Sequence, residues 1–206
     1  MSGDDEARTR VRERLRARRA ALPRAWIHQR STVLCDHVLA SPLWAEAEAL
    51  VAFVGVRGEP DTAAILHAAW ERGTPLWLPR VRGDVLEFVD TGGPDDLRSG
   101  CFGLIEPSPT RPRIDALAQL GGALVLVPGL GFDRSGARIG FGRGYYDRAL
   151  AELRDDAGFH RVGVAFEDFV AEPGDPDAAI PMAAHDVPVQ WLATERGVQP
   201  CTTSTR

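Results

Sequence analysis

Lysine is absent from the chain, so all 24 of its Lys and Arg side chains are arginines. Any site that holds a phosphate must therefore use arginine, backbone N–H groups or a metal ion. Long apolar runs are absent too, since none approaches the roughly 20 residues that a membrane-spanning helix needs. No signal peptide is visible, and the arginine-rich N-terminus contains acidic residues that a transit peptide would lack. These features predict a cytoplasmic protein with no membrane partner.

Cysteine is scarce, because only Cys35, Cys101 and Cys201 occur and their spacing does not match a zinc site. Free thiols in a reducing compartment are the expected state. The net charge of −5 disfavours general nucleic-acid binding. RNA binding through the N-terminal arginines stays open as an alternative, and it would show a steep salt dependence.

The order of apolar patterns predicts an α/β fold in one domain spanning residues 1–206. Continuous apolar runs typical of buried strands alternate with segments of helical periodicity. We expect a three-layer, Rossmann-like sandwich with a mostly parallel sheet and helices on both faces. The expected helices are residues 5–22, 24–39, 63–72 and 145–153. The expected strands are residues 50–56, 74–80, 85–89, 123–127, 160–166 and 187–194, followed by a frayed tail over 198–206.

Residues 127–150, with the sequence VPGLGFDRSGARIGFGRGYYDRAL, form the most informative stretch. It joins a buried strand to a helix through six glycines and three arginines, which is typical of a phosphate-binding loop. The spacing matches neither the Walker loop nor the dinucleotide fingerprint. Asp147, one turn into the helix, is a natural ligand for Mg²⁺ beside such a loop. The alternative is a glycine-rich hairpin that only turns the chain.

This stretch resembles the signature of the 5-formyltetrahydrofolate cyclo-ligase family. The matching segments are PGLGFD at 128–133, RIG at 138–140 and GRGYYD at 142–147. Glu59, Asp61 and Thr62 resemble a folate-contacting segment of the family, and residues 101–107 resemble its aromatic-Gly-Ile-x-Glu-Pro segment. The resemblance spans about residues 8–194. Arg8 stands where the family usually has lysine, and both side chains hold phosphate.

The resemblance implies ATP- and Mg²⁺-dependent cyclisation of 5-formyltetrahydrofolate to 5,10-methenyltetrahydrofolate, with release of ADP and phosphate. ATP would phosphorylate the formyl oxygen, and the folate N10 would then displace phosphate. Phosphoryl transfer of this kind is catalysed by positioning and by neutralising charge rather than by a protein nucleophile. The sequence fits this requirement, because it contains no Gly-x-Ser-x-Gly nucleophile elbow.

The resemblance also implies a role for each matching residue. The ATP-binding residues would be Arg8, Arg12, Arg138, Gly140, Gly142, Arg143, Gly144, Tyr145 and Tyr146. The folate-binding residues would be Val54, Glu59, Phe102 and Tyr145. The metal ligands would be Asp147 and Asp186, and the catalytic residues Arg143 and Tyr145.

Several of these residues keep a purely structural interpretation beside the functional one. Glu59 could be an exposed loop acid, Phe102 and Tyr146 could be core residues, and Asp186 could cap or turn the chain. At the level of the whole protein, two alternatives stay open: an ATP-dependent ligase or kinase with a different substrate, and a non-catalytic folate or nucleotide binder. We expect a monomer. Exposed arginines such as Arg80 or Arg82 could receive a polyglutamate tail.

Overall fold

The computed structural model describes residues 3–99, 105–153, 158–172, 180–183 and 186–202. The helices are α1 Gly3–Ala20, α2 Arg24–Leu39, α3 Pro42–Glu46, α4 Ala63–Arg72 and α5 Tyr145–Leu150. The strands are β1 Ala49–Val51, β2 Leu76–Arg82, β3 Val85–Thr91, β4 Leu97–Ser99, β5 Ile105–Pro107, β6 Arg113–Ile114, β7 Ala123–Pro128, β8 Gly131–Asp133, β9 Arg138–Ile139, β10 His160–Val164, β11 Val170–Ala171, β12 Trp191–Thr194 and β13 Gly197–Pro200. None of the described helices is both long and apolar enough to cross a bilayer.

An eight-stranded sheet with the order β13-β12-β10-β7-β1-β2-β3-β6 forms the centre of the fold. Its middle strands, from β12 to β2, pair in parallel. β13 at one edge, and β3 and β6 at the other, pair antiparallel. Parallel neighbours need a crossover connection, and α4 provides it between β1 and β2. The expected α/β class with a mostly parallel sheet is confirmed.

Apolar residues cover both faces of this sheet. Val51 and Val125 belong to a core with Leu15 of α1 and Leu150 of α5. The core on the opposite face contains Leu50 and Leu124 of the sheet together with Leu34 of α2 and Ile65 of α4. Because successive strand residues point to opposite faces, a strand buried on both sides must be apolar at every position. This is why the strands appear in the sequence as continuous apolar runs, and it confirms the three layers.

Three expectations about strands and the tail are wrong. The strand expected over 187–194 covers only Trp191–Thr194. β1 ends at Val51, and the last hydrogen bond to β2 comes from the Ala52 N–H to the Trp77 carbonyl at 3.0 Å, whereas we expected a strand over 50–56. Residues 198–200, expected in a frayed tail, belong to β13 and pair antiparallel with β12. The N–H of Thr202 also donates to the Arg134 carbonyl at 2.8 Å. The hairpin was missed because β12 and β13 have only four residues each.

The glycine-rich stretch is more structured than a single loop. β8 and β9 pair antiparallel within it, and β11 adds a third strand beside β8. Gly136, in the turn between β8 and β9, has a φ of +88°, and a Cβ there would lie 2.1 Å from the Val189 carbonyl oxygen. The first half of the stretch is therefore a hairpin, as the alternative proposed, and the loop that faces the site is residues 140–144.

Candidate active site

A cavity of about 640 Å³ opens beyond the carboxyl ends of β1 and β7. This edge of a parallel sheet is where α/β proteins bind ligands. The cavity is lined by residues from α1, the segment after β1, the β2–β3 hairpin, β5, residues 138–147 and residues 181–183. Of the site residues expected from the sequence, all that the structure describes line this cavity except Asp186. Phe102 lies outside the described residues.

The loop over residues 140–144 needs glycine for its conformation. Gly142 has a φ of +102° and Gly144 a φ of +64°, in the left-handed region that favours glycine. A Cβ at Gly142 would also lie 3.5 Å from Nε of Arg12. The loop therefore packs against α1, and at Gly142 and Gly144 its backbone has a conformation that favours glycine.

Arginines of α1 hold this loop by its carbonyl groups. Nε of Arg12 donates to the Gly140 carbonyl at 3.2 Å, and Nη2 of Arg16 donates to the Phe141 carbonyl at 2.7 Å. Burial and the neighbouring Arg8 and Arg16 lower the pKa of Arg12, which reflects the density of positive charge here. Arg16 was not among the site residues expected from the sequence. The signal was its spacing, because residues 8, 12 and 16 are four apart and share a helix face.

Arg8 is oriented by Asp186. Nη1 of Arg8 lies 2.5 Å from Oδ2 of Asp186, and Nη2 donates to Oδ1 at 3.3 Å. The Arg8 guanidinium also donates to the Pro181 carbonyl at 3.0 Å. The hydrogen bond to Asp186 raises the pKa of Arg8, more than burial lowers it. Asp186 is 3% exposed and does not line the cavity. Its assignment as a metal ligand stays a prediction. Its observed partners include the Arg8 guanidinium and the Ala183 N–H, which donates to Oδ2 at 2.8 Å, so Asp186 also stabilises a turn of the chain.

Asp147 lies on the cavity wall and pairs with Arg138, whose guanidinium also donates to the Pro128 carbonyl at 3.3 Å. Within the described ranges, no three His, Cys, Asp or Glu residues cluster as a metal site. Mg²⁺ bound to a nucleotide usually takes only one or two protein carboxylates, with phosphate oxygens and waters completing its shell. A single carboxylate beside residues 140–144 fits this donor set.

Arg143 is the exposed cation of the loop. Its side chain lines the cavity and has no hydrogen bond or ion pair with any part of the chain that the structure describes. An arginine with five uncommitted donors at the mouth of a cavity is suited to bind an anion.

Glu59 also lines the cavity but is buried, so its interpretation as an exposed loop acid is wrong. Its Oε1 lies 3.5 Å from Nη1 of Arg19, and its Oε2 accepts the Val56 N–H at 3.2 Å. Burial raises the pKa of this carboxyl above its ordinary value. The Tyr146 hydroxyl is also buried, and it has no hydrogen-bond partner among the described residues. Burial, followed by the charge of Glu59, raises the pKa of Tyr146.

Tyr145 connects the phosphate side of the cavity to the β2–β3 hairpin. Its hydroxyl donates to the Gly83 carbonyl at 3.1 Å. Beside it, Nη2 of Arg148 donates to the Asp84 carbonyl at 2.6 Å, and the Arg148 guanidinium carbon lies 5.4 Å from the Tyr145 ring centroid. The hairpin tip is thereby fixed against α5, and four residues of the hairpin strands line the cavity: Leu78, Pro79, Val81 and Leu86.

Arg80, considered as a receiver of a polyglutamate tail, already has an anionic partner. Its guanidinium pairs with Glu87, whose side chain is 1% exposed. Nε of Arg113 approaches the same carboxylate at 3.2 Å and Nη1 of Arg82 at 3.7 Å. Arg80 is therefore not an exposed arginine, since its side chain is 15% exposed and compensates a buried charge. This argues against a tail site at Arg80, although that hypothesis stays a prediction.

The chain is similar to known proteins in sequence and in overall fold. The family model described as the 5-formyltetrahydrofolate cyclo-ligase family matches residues 4–195. The chain is 30% identical to the mitochondrial 5-formyltetrahydrofolate cyclo-ligase of Arabidopsis thaliana, over 93% of this chain and 75% of that protein. It is 33% identical to the 5-formyltetrahydrofolate cyclo-ligase of Mycolicibacterium smegmatis, over 71% and 74%. The NMR structure of 5,10-methenyltetrahydrofolate synthetase from Aquifex aeolicus superposes with a TM-score of 0.79 at 27% identity, covering 97% of this chain and 95% of that one. The chain therefore belongs to the 5-formyltetrahydrofolate cyclo-ligase family.

Proposed function

We propose that this protein catalyses the ATP- and Mg²⁺-dependent cyclisation of 5-formyltetrahydrofolate to 5,10-methenyltetrahydrofolate, with release of ADP and phosphate. The observation that carries the proposal is that one cavity combines two kinds of wall. One wall holds the loop 140–144 with Arg8, Arg12 and Arg143, which suits a polyanion. The other holds Glu59 beside apolar residues, which suits a flat ring with N–H donors.

The reaction begins with transfer of the γ-phosphoryl group of ATP to the formyl oxygen, and ADP leaves. The bond from the formyl carbon to N5 gains double-bond character, which makes that carbon electrophilic. N10 of the folate then attacks the carbon and loses its proton, and the carbon–oxygen bond breaks with departure of phosphate. The oxygen of the formyl group leaves as part of the phosphate, so the atoms balance without a protein nucleophile.

The protein contributes charge and position to these steps. Arg8 and Arg12 bind the ATP phosphates, supported by the pairing of Arg8 with Asp186 and by the hold of Arg12 on Gly140. Arg143 neutralises charge on the transferring phosphoryl group, a kind of contribution that is largest in a site sheltered from water. Mg²⁺ would be held by Asp147 together with the phosphates, and it supplies further neutralisation. Asp186 acts by orienting Arg8.

The folate occupies the other part of the cavity. The buried Glu59 carboxylate accepts hydrogen bonds from N–H groups of the pterin ring and fixes its orientation. Val54 and the neighbouring Phe53 provide the apolar surface, and Phe102 stays a predicted contact outside the described residues. Tyr145, on the boundary between the two walls, contacts the folate near the formyl group. Such positioning brings N10 and the formyl carbon to reacting distance.

A spectrophotometric assay with 5-formyltetrahydrofolate, ATP and Mg²⁺ tests the proposal by following the near-ultraviolet absorbance of the methenyl product. We expect ATP-dependent product from the wild type, and losses of at least about 100-fold for Arg143→Met and Asp147→Asn. Arg10→Met is the matched control, because Arg10 lies in the same helix as Arg8 and Arg12 but is 71% exposed and does not line the cavity. Wild-type protein that binds ATP but forms no product would refute the assigned substrate and favour another ATP-dependent ligase or kinase. Product formed equally by all variants would refute the assigned site.

The cytoplasmic location, the monomeric state and the single-domain organisation remain proposals. Cell fractionation, gel filtration coupled to light scattering, and limited proteolysis would test the three in turn. A stable dimer in solution would overturn the second, and separate protease-resistant fragments would overturn the third.

A further inference from the structure

The last turn of α1 carries a buried arginine. The Arg19 side chain is 3% exposed, and its Nη1 lies 3.5 Å from Oε1 of Glu59, which is 6% exposed. Removing a guanidinium and a carboxylate from water costs more than their attraction commonly returns, and apolar residues in such places are often at least as stabilising. Stability alone therefore does not account for this pair.

The same guanidinium also reaches the backbone that leads into the phosphate loop. Nη2 of Arg19 donates to the Gly129 carbonyl and to the Leu130 carbonyl, the latter at 3.3 Å. These two residues directly follow β7 and precede the β8–β9 hairpin. One side chain thus joins the acid in the folate wall to the start of the segment that ends in residues 140–144.

The loop that carries Glu59 is packed against the end of α1 as well. Arg57 and Gly58 both have positive φ, +51° and +81°. A Cβ at Gly58 would lie 2.9 Å from the Arg19 carbonyl oxygen, so the loop follows the helix backbone at a distance that only glycine permits. A non-glycine residue such as Arg57 in the left-handed region is strained, and such strain persists only where the surroundings hold it. The position of Glu59 is thus held from two sides.

We propose that Arg19 is a positioning residue for the reaction, which pairs with the Glu59 carboxylate and holds it at a fixed distance from the start of the phosphate-binding segment. Arg19 does not line the cavity, so it acts through Glu59 and not on the ligands. The inference rests on the proposed function, in which Glu59 orients the folate.

The charged and titratable groups around Glu59 determine the expected pH dependence. Burial raises the pKa of Glu59, and this is opposed by Arg19 from α1, by the Val56 N–H and by Arg57 from its own loop. From α5, the Tyr146 phenol faces the same carboxylate. Loss of Arg19 removes the strongest opposition to burial, so the pKa of Glu59 rises. The ionised form is the one that accepts hydrogen bonds from the pterin. As the pH is lowered, the variant without Arg19 should therefore lose activity at a higher pH than the wild type does.

The test measures kcat/KM for 5-formyltetrahydrofolate against pH for the wild type, Arg19→Met, Arg19→Lys and Glu59→Gln. We expect the acid limb to move upward by about one pH unit or more in Arg19→Met and to return toward the wild-type position in Arg19→Lys. The double variant Arg19→Met/Glu59→Gln should have a kcat/KM within about threefold of that of Glu59→Gln alone. The reason is that Arg19 acts through Glu59, so its loss has little further effect once Glu59 is changed. Arg10→Met again serves as the control and should keep the wild-type profile.

The outcomes are distinguishable. Two results would overturn the positioning role. In the first, Arg19→Met lowers kcat/KM by the same factor at every pH. In the second, Arg19→Met lowers kcat/KM as much in the Glu59→Gln background as in the wild type. If Arg19→Met does not fold, the double variant, which lacks the unpaired buried carboxylate, and Arg19→Lys still decide the question. An inactive wild type would refute the proposed function itself. An active wild type with an unaffected Glu59→Gln variant would leave the proposed reaction standing and would overturn both this inference and the folate-orienting role of Glu59.

Discussion

The pairing of Asp147 with Arg138 predicts that stability and activity can be separated at this site. The Arg138 side chain is 4% exposed and that of Asp147 is 16% exposed. Asp147→Asn would leave the buried guanidinium without its counter-ion, and breaking a buried pair on one side costs about 3–5 kcal/mol. We expect about 3 kcal/mol, the lower end, because Asp147 is partly exposed and the amide of asparagine still accepts one hydrogen bond.

In a chain of this size, about 3 kcal/mol corresponds to a fall in Tm of roughly 6–12 °C. The double variant Arg138→Met/Asp147→Asn removes both charges, and an apolar replacement of a buried ion pair is often neutral. Its Tm should therefore return to within about 4 °C of the wild type. Activity should not return, because the carboxylate assigned to Mg²⁺ is missing from both variants.

The measurements are thermal unfolding without nucleotide, followed by the cyclisation assay on the same preparations. A single variant as stable as the wild type, or a double variant as unstable as the single, would refute the argument from burial. A double variant that recovers activity would refute the role given to Asp147. The wild type and the double variant should also differ in their response to Mg²⁺, which only the wild type should bind in the presence of ATP.

Three further predictions follow from the same contacts. Arg143→Met should lower kcat at least about 100-fold with little change in Tm, because this side chain neutralises charge on the transferring phosphoryl group and has no partner among the described residues; an unchanged kcat would refute its contact with that group. Asp186→Asn should raise the KM for ATP as Arg8→Met does and leave the Mg²⁺ concentration for half-maximal activity unchanged, whereas a direct metal ligand would raise that concentration. Arg80→Ala should lower the unfolding free energy by about 2 kcal/mol, since Glu87 loses its nearest cation, and should leave the affinity for monoglutamyl and polyglutamyl folate equal to that of the wild type; a selective loss for the polyglutamyl form would instead support a tail site.

Much of the site could be predicted because its residues are close in sequence. Residues 138–147 supply Asp147 and the loop glycines in one short stretch, and a phosphate loop constrains residue types through backbone conformation, which local sequence reflects. The contributions of Arg16 and Arg19 were not predicted. Both lie in a helix with arginines on every side, and only the packing of α1 decides which of them are buried and which face water.

The sequence by itself determined the alternation of strands and helices, the two apolar faces of the sheet and the phosphate loop. These depend on periodicity and on local backbone requirements, which neighbouring residues encode. Only the tertiary structure decided that residues 197–200 form an edge strand of the sheet, that Asp186 pairs with Arg8, and that Glu59 is buried against Arg19. The two ion pairs join residues at least 40 positions apart in the sequence, and the edge strand pairs with a neighbour of only four residues. Their formation depends on how whole elements pack, because the free energy of a buried charge is set by its partners in space and not by its neighbours in sequence.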